Sequence, residues 1–319
     1  TMKSPVLSIL FLLISVTLLA VPNDFRFRHF SVKDGLSSNS VRAIMQDKYG
    51  FLWIGTEEGL NRYDGIMIKS YSICPQAAGK YISSLYGTKK NIWIGTDEGI
   101  YIYAYATETF TYFDLTTPNN VRITSIVNHI LQDKDGNLWF STNGQGLFRY
   151  NLSKNYLEQY EFTSAFGIVA STMADSDNQI WALTNQGESG VYKLNKAENK
   201  FEPFGLLYNA GNHHSQALAM LEDSEQTLWL GTWECGLQKI DKYTRQTTTY
   251  LHPTDGKGVT HIHSLMEYAP HQLLIGSDDG LLLFNTLTEE YKLFTENETV
   301  PNSLSNRFVY PIIKDREGG

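Results

Sequence analysis

Through most of this chain the apolar residues come in short bursts, and one kind of burst recurs. Leu52-Trp53-Ile54, Ile92-Trp93-Ile94 and Leu138-Trp139-Phe140 are apolar on successive positions instead of alternating. A strand with that pattern needs cover on both faces. Around the first burst the sequence predicts four short strands, Val41 to Met45, Phe51 to Ile54, Gly59 to Tyr63 and Ile66 to Tyr71. Between the first two, Asp47-Lys48-Tyr49-Gly50 has turn chemistry, because Asp can bond its own following backbone and Gly accepts positive φ. Asp133 to Gly136 and Asp315 to Gly318 repeat that turn, and Asp175 to Asn178 places Asn where Gly stood.

The unit returns along the whole chain. Its turn slot falls at Asp47, Gly87, Asp133, Asp175, Asp223, Tyr268 and Asp315, so the period wanders between 40 and 48 residues. Six residues after the slot stand Trp53, Trp93, Trp139, Trp181, Trp229 and, in the sixth copy, Leu274. A fixed interval inside a loose period means a rigid hairpin core with variable loops around it. Four strands per unit, each sheet needing cover on both faces, predict an all-β chain folded as a β-propeller of four-stranded blades. Leucine-rich, tetratricopeptide and ankyrin repeats are shorter and need helices, while WD40 and kelch signatures are lacking. Six copies are complete over residues 41–308. Residues 309–319 begin a seventh that stops before its Trp strand, so the expectation is a fragment of a seven-bladed ring. Phe25 to Val32 alternates like a strand, and residues 21–40 are expected to close the ring.

Residues 1–20 have a different composition. Lys3 precedes an apolar run from Val6 to Ala20, too short to span a bilayer and suited to a cleaved export signal. The expected location is therefore periplasmic. A net charge of -8 and the lack of any Lys/Arg run exclude a nucleic-acid surface. Aromatics at 13% and charged residues at 19% exclude a disordered chain. Cys74 and Cys235 make no disulfide framework.

The phrase Asp-x-x-Gly-x-Leu-Trp-Ile-Gly-Thr-x-x-Gly-Leu-x-x-Tyr from Asp47 to Tyr63, behind the leader His29-Phe30-Ser31-Val32-x-x-Gly35-Leu36-Ser37-Ser38-Asn39-Ser40-Val41, resembles the two-component-regulator propeller repeat. The likeness covers residues 25–319 and is nearest the periplasmic sensor region of Bacteroidetes hybrid two-component sensor histidine kinases. It departs locally at Gly87, Leu183 and Leu274. The resemblance implies an extracytoplasmic sensor with two seven-bladed propellers and a β-sandwich, then a membrane span and cytoplasmic kinase, receiver and DNA-binding domains. It implies ligands from complex glycan breakdown, with the rest of the receptor chain as partner; a second copy of the receptor is left open. No catalysis is expected of this segment.

Recurrence assigns the Trp unit to framework, so specificity is sought in the loops that differ between copies. On the face opposite the Asp turns, Tyr81, His129, His213, His214, Trp233, His261 and His263 gather as candidate ligand contacts, with Trp233 stacking on a sugar ring. The plainer reading makes these histidines ordinary polar loop residues. His213, His214, His261 and His263 lack a carboxylate or Cys at a recognisable metal spacing, so neither metal nor cofactor is expected. Glu57-Glu58, Asp97-Glu98 and Asp278-Asp279 could suggest a glycosidase pair, but they recur at one repeat position, as framework does. The competing class is a propeller glycoside hydrolase or polysaccharide lyase, and fold alone cannot choose.

Overall fold

The computed structural model describes residues 25–74, 80–162, 167–184, 190–206, 216–252, 258–297, 299–300 and 302–316. The export-signal run and the candidates His213 and His214 lie outside these residues. Six four-stranded sheets follow one another, each an antiparallel meander in chain order. Their inner strands are Val41–Gln46, Ile82–Gly87, Val127–Gln132, Val169–Ala174, Ala217–Glu222 and Ile262–Ala269. Each inner strand packs beside the next, so the six sheets stand as blades around an axis. In the first blade, strands two to four are Leu52–Thr56, Gly59–Tyr63 and Ile68–Tyr71.

The second strands are covered on both faces, as their unbroken apolar runs demand. Every residue of Leu138–Thr142, Ile180–Thr184 and Leu228–Thr232 is buried. The constant six-residue interval also has a physical cause. The Trp53 Nε1–H donates to Asp47 Oδ2 at 2.8 Å, while Asp47 Oδ1 accepts the Tyr49 and Phe51 amides. Trp139, Trp181 and Trp229 repeat the bond to Asp133, Asp175 and Asp223. Blade two breaks the rule: its turn is one residue shorter, Thr88 stands where the Asp stands elsewhere, and the Trp93 Nε1–H has no acceptor among the described residues.

The Gly of the Trp-x-Gly-Thr phrase admits the next blade. A Cβ on Gly55 would lie 2.5 Å from Ile82 Cγ2, and one on Gly231 would lie 2.4 Å from Ile262 Cγ2. Blade four carries Leu183 there, and the facing residue shrinks to Ala217, both in one buried cluster. The Thr that ends each phrase caps the opposite turn, Thr56 Oγ1 donating to the Gly59 carbonyl and Thr232 Oγ1 to that of Gly236.

Between blades six and one the inner strands are not neighbours. Residues 309–316 fill that position in extended form, without a ladder. A Cβ on Gly276 would meet the Val309 carbonyl at 2.7 Å, much as one on Gly55 would meet Ile82. At the other side the Arg316 amide donates to Gln46 Oε1. The same contact joins complete blades, where Glu267 accepts the Ser224 amide and Glu222 that of Ser176. Residues 25–31, which alternate like a strand, form no ladder in the described structure. Phe25 packs edge-on against Tyr268 and Phe294 of blade six, while Phe30 and Arg28 lie against Tyr63 of blade one.

Candidate functional site

Each of the six inner strands carries a β-bulge at one register position. The ladder skips Arg42, Ser83, Asn128, Ala170, Leu218 and His263. A bulge leaves one residue unpaired and re-aims it. All six line a cavity of about 590 Å³ on the ring axis, together with Tyr310. Tyr310 stands five residues before Asp315, as Arg42 stands five before Asp47 and His263 five before Tyr268.

A continuous chain of contacts crosses the cavity mouth. Trp233 follows the capping Thr232, is 39% exposed, and stacks on His261 with ring centroids 3.8 Å apart. The stacking is fixed by backbone, because the His261 amide donates to the Trp233 carbonyl at 3.0 Å. Asp278 bonds both His261 Nδ1 and His263 Nε2, the latter at 2.7 Å. The His263 ring lies 4.4 Å from that of Tyr310, and the Arg42 guanidinium lies 4.7 Å over the same Tyr310 ring. Arg42 is paired with Glu57. Blades five, six and one and the segment 309–316 thus share one site.

Electrostatics make the His263 contact a hydrogen bond more than an ion pair. Burial lowers the His263 pKa despite its acidic neighbour, so the ring is neutral near pH 7. Burial works against charge on Asp278 too, but its bonds to His261 and His263 outweigh that and hold it below the usual carboxylate range. Burial raises the Tyr81 phenol, with Arg42 opposing. Lys80 pairs with Glu98 and lies 3.8 Å from Asp97.

The structure brings Trp233, His261 and His263 together as the sequence suggests, and sets Tyr81 within the electrostatic reach of Arg42 and Glu57. His129 belongs elsewhere. It stands on the third inner strand and lines the axial cavity below the mouth, instead of sitting on a rim loop. Its Nδ1 is buried without a partner among the described residues, and burial lowers its pKa to about 4. Arg42, Tyr310, Ser83 and Asn128 are absent from the sequence candidates. The signal that finds them is the slot five residues before the turn Asp, or four before Gly87, where the turn is one residue shorter. The acidic pairs, read as framework, are divided in use: Asp279 caps Thr260 while Asp278 holds the two histidines. No group of three His, Cys, Asp or Glu among the described residues could hold a metal ion.

Comparison with known proteins accords with this geometry. Residues 35–58 and 121–144 match the family model described as two component regulator propeller, each covering an inner strand, its Asp turn and its Trp strand. Histidine kinase P4 of Formosa agariphila is 26% identical over 293 residues, which cover 86% of this chain and 21% of that protein. The chain therefore spans about a fifth of this relative. The extracellular domain assigned to a hybrid two component system, BT4673, of B. thetaiotaomicron superposes with a TM-score of 0.78 at 23% identity over 92% of this chain and 38% of that one. Virginiamycin B lyase of Staphylococcus aureus shares the fold more distantly, with a TM-score of 0.62 and 15% identity over 79% of this chain and 83% of the lyase. No described helix is long and apolar enough to cross a membrane. Two segments of the chain thus match the two-component regulator propeller family, and the fold of the whole is that of its structural neighbours.

Proposed function

We propose that this segment is the extracytoplasmic, periplasmic sensing propeller of a hybrid two-component receptor. It binds an oligosaccharide from complex glycan breakdown at the cavity mouth and hands the signal to a kinase elsewhere in the receptor. The observation that carries this reading is the unbroken contact chain Trp233–His261–Asp278–His263–Tyr310–Arg42, which places an exposed aromatic platform beside hydrogen-bonding groups. Aromatic faces suit the C–H faces of sugar rings, and polar side chains at the edge suit hydroxyls. The relative named histidine kinase and the neighbours named as extracellular domains support the receptor context. Residues 309–316 support a ring of seven blade positions, because they make the inter-blade contacts of an inner strand and its turn.

Catalysis by this segment is disfavoured by the use of its groups. Asp278 is committed to two histidines and Glu57 to Arg42, so the acidic pairs act as structural partners. Isothermal calorimetry with oligosaccharides from digested glycans tests the reading. Trp233→Ala and His263→Ala are each expected to weaken binding by at least about tenfold, roughly 1.4 kcal/mol. Unchanged affinity in both variants would place recognition elsewhere.

A further inference from the structure

The same bulge in six inner strands is more than the blades need, since their other ladders are nearly regular. What it does in common is present one side chain per blade to the axis. Those side chains are not alike. His263, Tyr310, Arg42, Ser83 and Asn128 form one polar arc, and Ala170 and Leu218 an aliphatic one, extended by Ile168 and Met220.

We infer that the axial cavity beneath the mouth is itself a ligand site, taking a neutral ring that bears several hydroxyls and one aliphatic face. This deepens the sensing reading and rests on it, adding an inner subsite on the axis to the platform at the mouth.

Hydrogen-bond capacity in the polar arc selects the ligand chemistry. Ser83 Oγ donates to the Val127 carbonyl, so it offers the cavity lone pairs. Asn128 Nδ2 donates to the Val169 carbonyl, which leaves its Oδ1 as an acceptor. With Nε2–H given to Asp278, the neutral His263 ring offers Nδ1 as another acceptor. The charge of Arg42 is already met by Glu57. These acceptors, with the second Asn128 amide hydrogen beside them, match hydroxyls, which both donate and accept, and a cation already met by Glu57 gives little welcome to an anion. Ala170 and Leu218 across the cavity favour a C–H face. The volume, about 590 Å³, lies within the roughly 300–1,000 Å³ of small-molecule sites.

An occupant touching Tyr310 would also hold the one part of the wall that has no ladder. Residues 309–316 are fastened chiefly by Val309 to Ser277, Lys314 to Tyr268, and Arg316 to Gln46 and Lys48.

The test uses the chain described here with methyl β-D-glucopyranoside and myo-inositol as neutral probes and glucuronate as the anionic counterpart. Binding is followed by saturation-transfer NMR and amide hydrogen exchange. The neutral rings are expected to bind more tightly than glucuronate and to slow exchange at residues 309–316. Leu218→Trp, which fills the aliphatic arc, should weaken binding of these single-ring probes by at least about tenfold, and Trp233→Ala, whose platform at the mouth serves the longer oligosaccharides, by less than about threefold. Loss confined to Trp233→Ala overturns the axial site and leaves the rim reading standing. Failure of both neutral probes to bind, or tighter binding of glucuronate, also overturns it. Should Leu218→Trp not fold, wild-type exchange decides: probe protection at 309–316 supports the site, and protection restricted to Trp233 and His261 contradicts it.

Discussion

The two faces of the ring follow opposite rules. On the face of the Asp turns one carboxylate accepts two turn amides and a Trp indole in three blades, and one turn amide and the indole in a fourth. On the other face the turn is again held by a repeated cap, the Thr or Ser hydroxyl, but the side chains beside it differ in every copy. Glu57 holds Arg42, Asp97 and Glu98 hold Lys80, Trp233 stacks on His261, and Asp278 joins two histidines. Repetition in a ring of stacked sheets is what packing requires of every blade, so it carries no information about a single ligand. Specificity must come from the positions that the frame leaves free to vary.

Removing a frame group should therefore cost stability, and removing a mouth group should not. The largest effect is expected for Asp133→Ala. It strips the Trp139 indole and the Asn137 amide of their acceptor, with Trp139 only 1% exposed. Each buried donor left unsatisfied costs about 1–3 kcal/mol, so urea denaturation should register a loss of about 3 kcal/mol. His263→Ala, measured the same way, should stay within about 1 kcal/mol; equal losses would erase the distinction between the faces.

Acid should reveal the buried histidine of the cavity wall. The folded pKa of His129 is lowered to about 4 from 6.5, so the unfolded chain binds its proton first as the pH falls. Stability from this group is complete above pH 6.5 and declines as the pH falls toward 4, by about 3 kcal/mol at the lower end. Denaturation midpoints across that range should flatten in His129→Gln; an unchanged slope would assign the acid sensitivity to other groups.

The smallest effect sharpens the comparison within the frame face itself. Blade two lacks the carboxylate, and Trp93 Nε1–H is the unsatisfied donor that results. Thr88→Asp supplies a carboxylate at the turn position that Asp47 holds in blade one, and is expected to stabilise by about 1 kcal/mol. The gain is partly offset because this turn is one residue shorter than that of Asp47. Thermal denaturation detects it, and a destabilised variant would show that the shorter turn cannot bring a carboxylate to the indole.

The frame was legible in the sequence because its causes are local. The interval of six residues from Asp47 to Trp53 is one hydrogen bond, and the unbroken apolar runs are strands covered on both faces. Leu183 looked like a departure and became intelligible only beside Ala217, a residue 34 positions later that makes room for it. The site was legible in part. Trp233, His261 and His263 lie close together in sequence and meet in space. Arg42 and Tyr310 are 268 residues apart and share the site because the ring returns to its start. Asp278 was hidden by its pairing with Asp279, since a recurring acidic doublet reads as loop until its two carboxylates are seen in different bonds.

The most direct test of a variable mouth on an invariant frame is a hydrogen-exchange difference map, with and without a glycan-digest fraction that shifts the melting temperature. Protection is predicted around Arg42, Ser83, Asn128, Trp233, His261 to His263, Asp278 and Tyr310. Protection centred instead on the turns at Asp47 to Gly50, Asp133 to Gly136 and Asp223 to Gln226 would contradict it.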